Sequence, residues 1–245
     1  NEHNIKSFRL SSSLFPLYEF CGDIARNDAE IKSDLATAGQ LFKEAGIRVT
    51  THPGQFTVIS SDKDSVVENS IKELQYHAWI FDSMGFEQSS FYAINIHGGK
   101  ADRMDRIVEV IKTLPPNVKN RLTLENDEKC YNVRQLLDIS SRTNVPVVFD
   151  SHHYNFNSDD LLFDEAFSGA IDSWGDIKPL QHISNTEIGM ENAAFNQKRA
   201  HSQLIHYIPP LQLEAIRGNV VDVDVEAKLK NIALLKIRED FGIIN

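Results

Sequence analysis

Six short apolar runs punctuate the chain, and each stops at a side chain that can bind a metal. They are 47–52 (IRVTTH), 92–97 (YAINIH), 121–125 (RLTLE), 145–150 (VPVVFD), 179–182 (PLQH) and 220–226 (VVDVDVE). Runs of this length bounded by polar residues predict buried strands. A seventh short strand is predicted at 8–10, and the 179–182 run extends to 184. Between the strands lie stretches with a helical period, at 31–45, 65–84, 103–113, 133–142, 161–173, 197–207 and 227–238. Gly46, Gly85 and the pair Pro115-Pro116 stop three of them. The segments 151–161 and 185–196 are polar and read as loops. Alternating strand and helix predict a parallel sheet. The expected fold is α/β: a (β/α)8 TIM barrel forming one domain over 1–245, with the first of its eight strands preceding residue 1.

The run ends fall at His52, His97, Glu125, Asp150, His182 and Glu226. A lone His at a strand end means little. Six such ends in register place a ring of imidazoles and carboxylates at one end of a barrel, where barrel chemistry sits. Such a crowd needs a cation, so a metal cluster is the first inference. Asn95 and His97 lie two apart on one strand and therefore share the interior face. Asp150 with His152 and His153 offers a carboxylate and two imidazoles, of which either His could face the ion. In Glu125-Asn126-Asp127, Glu125 takes the metal role, where it can bridge two ions, and Asp127 is expected to cap the next helix. His201 is expected at the start of a helix, and His206 on another face of it. Glu226 is read as a ligand at the start of the last helix, in preference to a partner for that helix's dipole. His3 and His77 carry no supporting context, and Lys228 and Lys230 read as a solvated face.

The sharpest local signal is His52-Pro53-Gly54-Gln55-Phe56. Pro fixes φ and Gly tolerates positive φ, so a turn should project Gln55 and Phe56 outward as a pair. The plain reading is a strand–helix turn with a capping His. The sharper one is a ligand followed by an amide–aromatic probe, of the kind that fills the space of displaced bases in DNA.

Composition changes this picture little. Of 245 residues, 41% are hydrophobic and 24% charged, as in ordinary globular chains. No apolar stretch is long enough to span a membrane, and no signal peptide is seen. The two cysteines, Cys21 and Cys130, are far apart and suit a reducing cytoplasm. The net charge of −10 lacks the basic footprint of a nucleic-acid binder. Part of that acidity belongs to the ligand ring, however, and bound divalent ions would invert the local field.

Together RLSSSLFPL (9–17), HPGQF (52–56), INIHGG (94–99), LTLEND (122–127), FDSHH (149–153), LQHIS (180–184) and DVDVEAKLKN (222–231) resemble the UV damage endonuclease family. The resemblance spans nearly the whole chain. It implies a TIM barrel related to metal-dependent AP endonucleases. It also implies an enzyme that nicks UV-damaged double-stranded DNA immediately 5′ to cyclobutane pyrimidine dimers and 6-4 photoproducts. Two or three divalent ions, typically Mn2+, are implied, and a monomer suits an enzyme that clasps bent duplex. Carried over motif by motif, the metal ligands fall on His52, His97, Glu125, Asp150, His153, His182, His201 and Glu226. Of these, Glu125, His97 and His201 are expected to be catalytic, and Gln55 and Phe56 to probe the lesion. There are departures. Phe56 stands where the family usually has Tyr. Phe20 stands where some members have a His, and Leu180 where some carry a modified lysine, so a mechanism needing that lysine cannot operate here.

Two other functions fit part of the pattern. A metal-dependent sugar isomerase or epimerase also rings its barrel with His, Glu and Asp, and suits the acidic charge. It has no evident use for the exposed pair in HPGQF. A lesion-binding protein that does not cut would explain Phe20 and Leu180.

Overall fold

A computed structural model describes residues 3–158 and 160–243. Seven parallel strands follow one another in sheet order: β1 (Ser7–Leu10), β2 (Arg48–Thr51), β3 (Ile94–His97), β4 (Leu122–Glu125), β5 (Val147–Asp150), β6 (Leu180–Ile183) and β7 (Asp222–Val225). The helices are α1 (Tyr18–Asn27), α2 (Ala29–Glu44), α3 (Asp64–Ser83), α4 (Met104–Thr113), α5 (Pro116–Lys119) and α6 (Val133–Thr143). They continue with α7 (Ser151–Tyr154), α8 (Phe163–Asp172), α9 (Phe195–Lys198), α10 (Pro210–Arg217) and α11 (Asn231–Phe241). Right-handed strand–helix–strand crossovers roll such a sheet into a barrel. Here β1 approaches β7 through side chains: Ser7 Oγ donates to Asp224 Oδ1 at 2.9 Å, and Arg9 Nη1 to Glu226 Oε1 at 2.5 Å. No backbone ladder joins these two strands among the described residues. The result is a nearly closed TIM barrel of seven strands, as the strand count from sequence implied.

The helices form for the reasons their sequences give. In α4 the apolar stripe Ile107, Val108, Val110 and Ile111 is buried against the sheet, each side chain worth about 1.5–3 kcal/mol on burial. α2 ends at Gly46, which takes a positive φ of 61° so that its own N–H and that of Ile47 can close on Lys43 and Phe42.

Several expectations are corrected. The helix expected at 197–207 is absent; α9 is a single turn, and 199–209 is irregular. That stretch is drawn across the barrel mouth, where Thr186 bridges to His201 and Ser202 N–H donates to Asn185 O at 2.8 Å. Helix α10, unforeseen, starts instead at Pro209-Pro210, where a missing N–H costs nothing. α1 was also unforeseen, and the expected loop at 151–161 opens with the short α7. α11 begins only after Lys230, held at φ 47°, so Glu226 follows β7 and does not start a helix. Asp127 does not cap α6. Asn132 does, in a capping box with Gln135.

Candidate metal centre

Because side chains alternate along a strand, one parity of each strand fills the barrel in levels. At the N-terminal end lie Ala93, Val148, Leu180 and Trp174, an apolar plug. The next level is polar and paired. Thr123 Oγ1 donates to Asn95 Oδ1 at 2.8 Å, and Thr50 Oγ1 to Asp224 Oδ2 at 3.0 Å. The level above carries His52, His97, Glu125, Asp150, His182 and Glu226, all buried or nearly so.

Glu125 is at the centre. Its Oε2 accepts from Asn95 Nδ2 at 2.5 Å and lies 3.1 Å from both His52 Nε2 and His182 Nδ1. Its Oε1 lies 3.3 Å from His153 Nδ1. Two groups of potential ligand atoms, each within 4.8 Å of one another, share this residue: His52, His97 and Glu125, and Glu125, Asp150, His182 and Glu226. His201 reaches the same place from the irregular segment, its Nε2 3.4 Å from Glu226 Oε2.

The donors fit a cation on their own evidence. His97 Nδ1, Glu125 Oε1, Asp150 Oδ2 and both nitrogens of His182 are buried without a hydrogen-bond partner. Unpaired buried polar atoms are costly, so their clustering in the two groups around Glu125 marks a place for ions. Imidazole and carboxylate donors suit a divalent transition metal. Asp150 divides its oxygens: Oδ1 accepts the His152 and His153 N–H groups at 2.7 and 2.8 Å, capping α7, and Oδ2 faces the ring. Asn126 clamps the same strand end, donating Nδ2 to Asp150 O at 3.0 Å and accepting Asp150 N–H at 2.8 Å.

α7 separates the two adjacent histidines. His153 Nδ1 meets Asn126 O at 2.9 Å, which leaves Nε2 available. His152 turns away to Arg199 O at 3.2 Å. The electrostatics follow from the crowding. Burial opposes ionisation of Glu125, yet His182, His97 and His153 hold its carboxyl well below the usual range. Burial alone would lower His153, but Asp150, Glu125 and Glu128 push it up to about 11. His182, likewise buried, is pushed up to about 9 by Glu125 and Glu226. His97 goes the other way, lowered chiefly by burial. Glu226, despite burial, falls to about 2 beside His182 and Arg9. Arg9 had no role in the sequence reading; its only signal was an Arg one residue inside a strand end.

The ring opens into a cavity of about 350 Å³ whose wall includes Gln55, Lys129 and Arg199. Thr57 N–H donates to Gly54 O at 2.9 Å, closing a turn with Gln55 and Phe56 at its two central positions. Both are exposed, Phe56 to 83%. Gly54 is not in the positive-φ region, so the freedom assigned to it from sequence is not what shapes this turn. His206 is exposed, while His77 is buried behind β2 between Thr51 Oγ1 (3.1 Å) and Glu73 Oε1 (3.2 Å). No helix among the described residues is long and apolar enough to cross a membrane.

Fold and ring define a class: TIM-barrel proteins whose C-terminal rim is built to hold metal. Within it the chain belongs to the UV-endonuclease UvdE family, whose model matches residues 1–245. A UV DNA damage endonuclease from Nostoc sp. is 38% identical over 244 residues, covering 97% of this chain and 72% of that one. Another from Deinococcus radiodurans is 35% identical, covering 96% and 76%. The crystal structure of SacUVDE superposes with a TM-score of 0.83 at 31% identity, covering 99% of this chain and 83% of that one. Endonuclease IV from Thermus thermophilus (TM-score 0.64, 13% identity) and an L-ribulose 3-epimerase (0.59, 15%) share the fold alone.

Proposed function

We propose that this chain is a DNA repair endonuclease acting as a monomer on UV-damaged duplex. In this reading it hydrolyses the phosphodiester immediately 5′ to cyclobutane pyrimidine dimers and 6-4 photoproducts with two or three divalent ions, Mn2+ foremost. The observation that carries it is an exposed amide–aromatic turn, Gln55-Phe56, whose Gln55 lines the same cavity as the ligand candidates His52, His97, His153, His201 and Glu226. A sugar enzyme has no use for such a turn, and family membership points the same way.

His52, His97, Glu125, Asp150, His153, His182, His201 and Glu226 would hold the ions, with Glu125 shared between two groups. The ions supply Lewis acidity toward a phosphodiester. The chain supplies the rest. Asn95 orients Glu125, and Asn126 fixes the tautomer of His153. His97, which burial disfavours protonating, would offer its lone pair to an ion, and His201, partly open to the cavity and 3.4 Å from Glu226 Oε2, would be free to reach the phosphodiester. Photoproducts stack poorly and are cheap to extrude. Gln55 and Phe56 would fill the gap, reading deformability more than base identity. Phe in place of the usual Tyr keeps the stacking face and loses only a hydroxyl contact.

The test is a duplex carrying one cyclobutane pyrimidine dimer, with an undamaged control, incubated with manganese or EDTA. Manganese-dependent nicking 5′ to the dimer is the expected result. Binding without nicking would make the chain a lesion binder, and neither would overturn the reading.

A further inference from the structure

Six of the seven strands bring a His or carboxylate to the ring, and the seventh brings a cation. Arg9 is in register with Thr50, whose hydroxyl bonds Asp224 inside the barrel, so Arg9 shares the interior face. Its long side chain climbs to Glu226, where Nη1 lies 2.5 Å from Oε1. Asp224 does not compete for it, being occupied by Ser7 Oγ at 2.9 Å and Thr50 Oγ1 at 3.0 Å. Glu226 is thereby divided. Oε1 faces Arg9 and, at 3.5 Å, His182 Nδ1, while Oε2 faces His201 Nε2 at 3.4 Å.

We propose that Arg9 is the β1 member of the ring: a fixed cation that neutralises Glu226 before metal arrives and confines metal binding at Glu226 to its second oxygen. The inference rests on the metal-dependent reading above. Two consequences follow from its charge. Without metal, Arg9, 2.5 Å from Glu226 Oε1, joins His182 in offsetting the repulsion between the buried carboxylates Glu125 and Glu226, so the ring can fold empty-handed. With metal held through Glu226, the same charge would share that carboxylate with a divalent ion and would weaken its binding. Arg9 is in this sense a positioning residue that trades metal affinity for order in the metal-free ring.

The experiment is calorimetric titration of the whole protein with MnCl2, alongside thermal melting of the metal-free form. Arg9→Gln keeps a donor for Glu226 and removes the charge; Arg9→Lys keeps the charge. Arg9→Gln is expected to bind Mn2+ at least about tenfold more tightly, the order expected for removing a unit charge beside a divalent ion. Its metal-free form should melt several degrees lower, and Arg9→Lys should follow the parent in both. Weaker or unchanged Mn2+ binding by Arg9→Gln, with the parent binding normally, overturns the role of Arg9 alone. No Mn2+ binding by the parent overturns the metal reading itself. A residue that merely held Glu226 in place would lose metal affinity on substitution, opposite to the change expected here.

Discussion

The two ends of the barrel both bury charge, and they treat it in opposite ways. At the N-terminal end, Arg48 is 1% exposed, and each of its three nitrogens is hydrogen-bonded. It donates to Phe91 O at 2.7 Å, Lys178 O at 2.9 Å, Asp222 Oδ2 at 3.1 Å and Ser90 O at 3.2 Å, and stacks between Phe91 and Trp174. At the C-terminal end, ligand atoms of His97, Glu125, Asp150 and His182 are equally buried and lack a hydrogen-bond partner, meeting one another only as close charges. A closed set of bonds stabilises only the fold. An open set has its remaining partner outside the chain. The same seven strands thus carry a structural charge at one end and a functional one at the other.

Breaking each end should separate these roles. Arg48→Met is expected to cost about 1–3 kcal/mol in urea unfolding, because the carbonyls of Ser90, Phe91 and Lys178 lose a buried donor, while Asp222 keeps Lys178 at 2.7 Å. Nicking per folded molecule should stay at the parent level. Glu125→Gln should do the reverse. Manganese-dependent nicking should fall by at least about a hundredfold, the upper end of what outer partners of a metal site contribute. Its circular dichroism should be unchanged, and a nicking rate near the parent's would remove Glu125 from the chemistry.

Smaller effects sharpen the contrast. Phe56→Ala removes one stacking face, worth about 1–3 kcal/mol. Affinity for dimer-containing duplex should drop roughly 5- to 150-fold, with undamaged duplex bound as before; equal losses on both would mean that Phe56 does not read damage. The smallest effect is in pH. His182 and His153 are raised from 6.5 to about 9 and about 11. Their ion pairs with Glu125 therefore stabilise the metal-free protein in full below about pH 6.5 and are lost as pH rises through those values. Metal-free melting temperatures should fall across pH 8 to 11. Manganese, which needs the imidazoles neutral, should bind more tightly with rising pH and flatten that fall.

The strand ends were legible because their signal is local: an apolar run, a ligand, and a turn. All seven strands follow from their short apolar runs, and the interior placing of Asn95 and His97 from the alternation of side chains along β3. What was illegible depends on tertiary partners. His201 sits in a stretch with helical spacing, but bonds across the barrel mouth prevent the helix and deliver the imidazole to Glu226. His152 and His153 are equivalent in sequence until the turn of α7 points one at Asn126 and the other at Arg199. Arg9 and Arg48 have no role legible in the sequence, because only a barrel interior shows which carboxylate each meets. Asp127 looked like a helix cap, yet it gathers the N–H groups of Lys129, Cys130 and Tyr131 within its own turn.

Those turns are also tied to one another. Ser60 Oγ accepts Lys100 N–H at 2.5 Å, and Asp62 pairs with Lys100 and, at 2.6 Å, Arg103. Tyr131 Oη donates to Lys100 O at 2.7 Å and accepts Arg103 N–H at 3.0 Å. Its ring lies so close to Gly98 that an added Cβ would sit 2.3 Å away. Glu128 then pairs with Arg199, two residues before His201. The protruding aromatic and the ligand ring are thereby two marks on one rigid rule. If the chain cuts as proposed, the offset between lesion and nick would be a length held by the rim, the same for every lesion that admits Phe56.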